Sequence, residues 1–170
     1  MIAPPLTTAR LSLRAGQAGD AEPLGRFIAG PRSPGIGGPY PASAAAGWVA
    51  DDLANCENRG SGLWIVTLTA TGEVMGRTGV LHHDGWPAPE LAWHLYDGVE
   101  GQGFAHEAAR AARDCCDRVP GLPPMVSLID ADNPASIRVA ERLGATCEAP
   151  HPLPDSDGIH RWRHPARGQP

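Results

Sequence analysis

The chain contains no lysine: all fourteen of its basic residues are arginine. That absence excludes a lysine Schiff base, a lysine nucleophile and a P-loop lysine. The bias itself fits codon usage in a GC-rich genome. There is no apolar run of about eighteen residues, so no transmembrane helix is expected. The opening Met1-Ile2-Ala3-Pro4-Pro5-Leu6 lacks a basic n-region and an apolar h-region, so no secretory signal is expected. Four cysteines are present, Cys56, Cys115, Cys116 and Cys147, with no C-x-x-C and no metal-ligand spacing. A reduced, cytoplasmic location follows as the default. Excess positive charge is also missing: the net charge is −5 and the pI about 5.7, which argues against nucleic acid as a partner. Aromatic residues make up only 5%; five are tryptophans, expected mainly in the core and in pocket walls.

What is present is one domain's worth of globular sequence, residues 1–170, with 42% apolar and 19% charged residues and a loop-rich tail from about 150. Glycine and proline cluster at Gly30–Pro41, Gly85–Pro89, Pro120–Pro124 and Pro150–Gly158, which read as loops between elements. Leu6–Arg14 reads as a first strand. Asp20 can cap a helix carrying Leu24, Phe27 and Ile28, and Ser43 a second with the stripe Ala46, Val49, Leu53 and Cys56. Leu63–Thr69 and Glu73–His83 form a hairpin around Ala70-Thr71-Gly72, with Gly76 and Gly79 marking a bulge or a close backbone contact. Glu90–Tyr96 is a fourth strand. Gly103–Val119 reads as a helix whose apolar face is Phe104, Ala108, Ala112, Cys115 and Val119. Met125–Ile129 is a strand, Asn133-Pro134 opens a helix closed by Gly144, and Ala145–Ala149 and Gly158–Arg163 end the chain as strands. The order βααβββαβαββ implies a mixed α/β (α+β) sheet of about seven strands, mostly antiparallel, with helices on both faces.

The sharpest chemical signal is Glu100-Gly101-Gln102-Gly103-Phe104-Ala105, between a strand and a helix. Two glycines admit a ligand close to the backbone, and amides converge at the helix N-terminus, a geometry that binds phosphate without a cationic side chain. A plain strand–helix turn is the bland alternative. The dinucleotide fingerprint fails, because His106 stands where its third glycine belongs. A second signal is the capped helix Asn133–Ala145.

Together these two segments, about thirty residues apart, resemble the pyrophosphate loop and the following helix of the GNAT superfamily of acetyl-CoA-dependent N-acetyltransferases. Leu6–Arg14, Gly72–Gly79 and Pro89–Leu95 resemble the branch that holds the ribosomal-protein-alanine (RimJ/RimL-like) acetyltransferases. The resemblance implies acetyl transfer from CoA to a primary amine, a protein N-terminus or a small molecule, by direct attack in a ternary complex. It implies that the fourth strand splays from the fifth, and that backbone near Trp93 and Leu95 holds the acetyl and pantetheine groups. The amides of Gln102, Gly103, Phe104, Ala105 and His106 would hold the pyrophosphate, and Asn133 would touch the pantetheine. Glu90 is the favoured base. His94 is the second, because alternation puts residues 90, 92 and 94 on one face. Ser136 is the candidate acid. Two departures stand out: Glu100 occupies a position usually Gln or Arg, and Ala140 replaces the tyrosine that many members use to protonate the thiolate. Ala140 gives some weight to a non-catalytic CoA-binding sensor. No metal is expected, since adjacent His82 and His83 in His82-His83-Asp84 would point to opposite faces. Neither a membrane nor a nucleic-acid partner is expected; the chain would be a monomer or homodimer.

Overall fold

The structure is a computed structural model and describes residues 4–59, 62–82, 86, 88–150 and 158–166. Its frame is one eight-stranded sheet in the order β1-β2-β3-β4-β5-β6-β8-β7. The strands are β1 (Leu6–Thr7), β2 (Leu11–Arg14), β3 (Leu63–Leu68), β4 (Val74–Leu81), β5 (Glu90–Leu95), β6 (Val126–Asp130), β7 (Thr146–Pro150) and β8 (Ile159–Arg163). Every pairing is antiparallel except β5–β6. The helices are α1 (Ala21–Ile28), α2 (Ala45–Arg59), α3 (Phe104–Cys116) and α4 (Pro134–Arg142).

The extra strand comes from the N-terminus. Leu6–Arg14 is two strands rather than one, because Thr8 reverses the chain. Its N–H donates to Leu11 O at 2.9 Å and its Oγ1 accepts from Leu11 N–H at 3.0 Å. Leu6 then pairs with Leu13 and Thr7 with Ser12. Alternation of Leu11 and Leu13 could not show this, since both sides of a tight turn keep the pattern.

Side-chain parity sorts the two layers. Leu11, Leu13, Trp64, Val66, Val80, Leu91 and Leu95 face α3, where Phe104, Ala108, Ala109, Ala112 and Cys116 meet them. Cys116, not Cys115, completes the buried stripe, and Val119 lies beyond the helix and is exposed. On the other face, Leu24, Phe27 and Ile28 of α1 pack with Ala45 and Val49 of α2 and with Tyr96. Ser43 sits in a short 3-10 turn, Ala42–Ala44, so α2 starts later than expected and Ala45 replaces exposed Ala46 on the inner face. Asp52, three residues on from Val49, is buried on the same face.

The sheet tightens around the strand that will matter most. A side chain at Gly76 would drive into the carbonyl oxygen of His94, and one at Gly79 into that of Gly62. Only glycine lets β4 lie this close to β5 and β3. The expected bulge is real: Val66 opposes Gly76 but Thr67 opposes Val74, leaving Met75 as the extra residue.

Candidate active site

Between β5 and β6 the sheet comes apart. Their parallel register holds one pair, Glu90 with Val126. At the closed end Val126 N–H donates to Pro89 O at 3.0 Å. Beyond it, side chains replace the ladder. Ser127 Oγ donates to Leu91 O at 2.6 Å, and Glu90 Oε1 accepts from Leu128 N–H at 3.4 Å. Ser127 is itself set by His164, whose Nε2 lies 2.9 Å away. The hydroxyl proton goes to the Leu91 carbonyl, so Nε2 is the donor to Ser127 Oγ. Burial, then Arg113, lowers the His164 pKa to about 4, which keeps the ring neutral at neutral pH.

Backbone alternation fixes what the opening offers. Pro89 O and Leu91 O point to β6, while Ala92 O meets Thr78 Oγ1 and Tyr96 N–H meets Met75 O on the β4 side. The odd-numbered Trp93 and Leu95 therefore turn their amides into the gap, where β6 places no residue opposite.

The glycine-rich turn stands at the mouth. Gly98, Gly101 and Gly103 have φ of 89°, 74° and 80°, the left-handed region. Gly103 is the N-cap of α3, so the next amides, Phe104, Ala105 and His106, point out of the first turn without intrahelical acceptors. Residues before β2 brace this end. Thr8 Oγ1 donates to Glu107 Oε1 at 2.6 Å, and Arg10 Nε to Glu107 Oε2 at 2.8 Å. Arg10 also donates to Gln102 O at 3.0 Å and lies 4.4 Å over the Phe104 ring. Burial would raise the Glu107 carboxyl, but these hydrogen bonds outweigh it and hold it below the usual range. Glu100 is neutralised in place: Arg32 Nη1 lies 2.6 Å from its Oε1, and Gly98 N–H donates to Oε2 at 2.9 Å. Arg32 also donates to Leu95 O and Tyr96 O at 3.0 and 3.1 Å, tying the glycine-rich loop before α2 to the end of β5.

A cavity of about 640 Å³ joins these parts. Pro31, Arg32, Pro34, Gly35 and Ile36 line one side, Gly101 and Gly103–His106 close one end, and α4 forms a wall. Trp93, Leu95, Gly103, Phe104, Ala105, His106, Asn133, Ser136 and His94 all line it; Gln102 lies beside it, and Glu90 is at the closed end of the split, outside the lining. Asn133 Oδ1 caps α4 by accepting from Ser136 N–H at 3.1 Å. Ala140 is fully buried against Ile129, Ala145 and Trp162. His83 and Asp84 lie outside the described residues.

Three groups here escaped the sequence reading. Arg138 and Arg142 line the cavity as cations one helical turn apart on α4, a spacing visible in the sequence. The third is the pair behind His94. Arg77 is 4% exposed; its Nη1 lies 3.0 Å from Asp52 Oδ2, and its Nε donates to His94 Nδ1 at 3.1 Å. The Trp48 ring backs the guanidinium at 4.9 Å, and Phe27 stacks on the His94 ring at 6.2 Å. Burial raises the Asp52 carboxyl to about 6 despite Arg77. Burial, with Arg77 second, pushes the His94 imidazole well below the ordinary histidine range. Burial likewise raises Glu90 to about 7, against the Leu128 hydrogen bond.

Residues 10–146 match the acetyltransferase (GNAT) domain family, and the chain belongs to that family. An acetyltransferase from Agrobacterium tumefaciens C58 superposes with a TM-score of 0.87 at 39% identity, over 96% of this chain and 95% of its own. The uncharacterized Bacillus subtilis (strain 168) protein YkkB is 32% identical over 120 residues, which is 69% of this chain and 65% of YkkB. The chain thus spans somewhat less than two thirds of that curated relative. RimL, a ribosomal L7/L12 alpha-N-protein acetyltransferase solved in complex with coenzyme A, shares the fold with a TM-score of 0.77 at 18% identity, over 99% of this chain and 100% of its own.

Proposed function

We propose that the protein transfers an acetyl group from acetyl-CoA to a primary amine, of a protein N-terminus or a small molecule, by direct attack in a ternary complex. The observation that carries this reading is the β5–β6 opening, with Trp93 and Leu95 amides turned into it and the α3 amides at its mouth. Thioester transfer needs a neutral amine, a donor for the oxyanion and a fate for the thiolate. The amides of Gln102–His106 take the diphosphate, with Arg138 and Arg142 alongside as cations. Asn133 reaches the pantetheine and Ser136 the departing sulfur. CoA brings the activated acetyl group; these side chains hold and orient it.

Glu90 is the base in this reading. Its carboxyl, raised to about 7, can take up a proton at neutral pH. Four residues along an extended strand separate it from His94, about 13 Å. The proton therefore reaches Glu90 through water in the split. No cysteine lines the cavity among the described residues, which favours direct transfer over an acyl-enzyme. A cytoplasmic setting, where acetyl-CoA is made, suits the reaction.

A second reading is a CoA-binding sensor, favoured by Ala140 where the family's acid would stand. Thiol release from acetyl-CoA, measured against a panel of peptide N-termini, polyamines and amino acids, separates the two. The enzyme reading expects acetyl-CoA-dependent release with at least one amine. Calorimetric binding of CoA with no release across the panel would select the sensor.

A further inference from the structure

We infer that His94 serves acetyl transfer as a neutral hydrogen-bond donor through Nε2–H, fixed in that tautomer by Arg77 and Asp52, and that it is not the base. This rests on the acetyltransferase reading above. The argument is one of proton positions. Arg77 Nε donates to His94 Nδ1 at 3.1 Å. A guanidinium has no lone pair to accept with and keeps its protons in proteins. Nδ1 must therefore present its lone pair, and the ring's one proton sits on Nε2. Protonating Nδ1 would set two N–H groups head to head and a second positive charge beside Arg77.

Asp52 holds the other end of the guanidinium at 3.0 Å, and Trp48 and Phe27 pack on the two planes. The tautomer is thus set by groups that cannot easily turn. Nε2 is the ring's other polar atom, it has no protein partner among the described residues, and His94 lines the cavity next to Trp93 and Leu95. A donor held in place by a buried charge is the arrangement that stabilises an oxyanion without reorganising during the reaction.

The step balances without a net proton change on His94. The amine nitrogen attacks the acetyl carbon, and the C=O π pair moves onto oxygen, where Nε2–H meets it. Collapse re-forms the C=O, breaks the C–S bond and leaves that pair on sulfur. The new ammonium gives its surplus proton to water bound for Glu90, and the thiolate takes one from Ser136 or solvent. Arg77 and Asp52 touch no substrate; they position.

The test reads the tautomer first. ¹⁵N imidazole spectra of the whole chain, with His94 assigned by its loss in His94→Gln, should show an Nε2–H ring that does not titrate between about pH 5 and 8. An Nδ1–H ring, or a midpoint inside that window, overturns the inference. This readout needs no turnover, so it stands apart from the acetyltransferase reading; failure of that reading would show instead as CoA binding with no thiol release for any amine of the panel. In the acetyl-transfer assay, His94→Leu should lower kcat by about 100-fold, the loss expected for one oxyanion donor, with the KM for acetyl-CoA unchanged. His94→Gln, whose amide N–H can stand near Nε2, should recover most of it. A leucine variant with wild-type kcat, or a glutamine variant no better than leucine, contradicts the assignment.

Discussion

The two faces of the sheet meet at the same opening but present opposite kinds of chemistry. On the α3/α4 side the working groups are backbone amides, offered by left-handed glycines and by a helix start that any first turn leaves unsatisfied. On the α1/α2 side they are side chains: a carboxylate, a guanidinium and an imidazole packed in series between two aromatic rings. The first side costs the fold little, since helix ends are exposed anyway. The second buries a charged pair, which is costly unless every partner is kept. The difference teaches where mutation should separate binding from stability.

The largest effect is expected on the buried side. Asp52→Ala leaves Arg77 enclosed without its counter-charge, and should destabilise the chain by about 3–5 kcal/mol in urea unfolding. Asp52→Asn, which keeps an acceptor, should cost clearly less. Equal losses would mean that charge is irrelevant to the pair. On the backbone side, Gly103→Val forces a β-branched residue to φ of 80°, at a strain of about 1–3 kcal/mol. Calorimetry should show CoA affinity falling by about 5- to 150-fold, the equivalent of that strain, while Asp52→Asn leaves it nearly unchanged. If both variants weaken CoA alike, the two faces are not separable.

A smaller effect is tied to pH. Glu90 is raised to about 7 and Asp52 to about 6, so the folded chain holds these protons more tightly than the unfolded one. Stability from this source is complete below the ordinary carboxylate range and is lost as pH rises through the folded values. Glu90→Gln removes one such proton, and should flatten the loss by up to about 1.4 kcal/mol per pH unit between pH 5 and 7. Denaturation at several pH values checks the sign: the variant gains on wild type as pH rises. The smallest effect belongs to the exposed bridge between loop and turn. Arg32→Ala frees the Glu100 carboxylate near the diphosphate, and should weaken acetyl-CoA severalfold or less, as surface pairs do. Adding Glu100→Gln should restore the affinity. A double variant as weak as the single one would assign Arg32 to holding the loop instead.

Legibility in the sequence followed the same divide. Helix periodicity, the Asn133 cap and the glycines around Gln102 are local signals, written within a few residues, and the fold class and family could be read from them. What escaped depends on contacts far apart in the chain. Asp52, Arg77 and His94 come from α2, β4 and β5, and nothing in the spacing of each announces the other two. The expected α2 stripe of Ala46, Val49, Leu53 and Cys56 leaves out Asp52, which the structure buries three residues on from Val49. The split at β6 was legible only through family resemblance, since its physical cause, Ser127 and Glu90 replacing ladder bonds, crosses from one strand to the other. Glu100 shows a milder case. A carboxylate at a phosphate loop reads as a conflict until Arg32, from a distant loop, is seen beside it.

Soaking acetyl-CoA into crystals of the protein tests the central claim most directly. The account predicts the diphosphate on the amides of Gln102–His106 and the thioester arm lying along Trp93 and Leu95, with its carbonyl reached by His94 Nε2. Density for the cofactor on another surface, with the gap between β5 and β6 left unfilled, would contradict it.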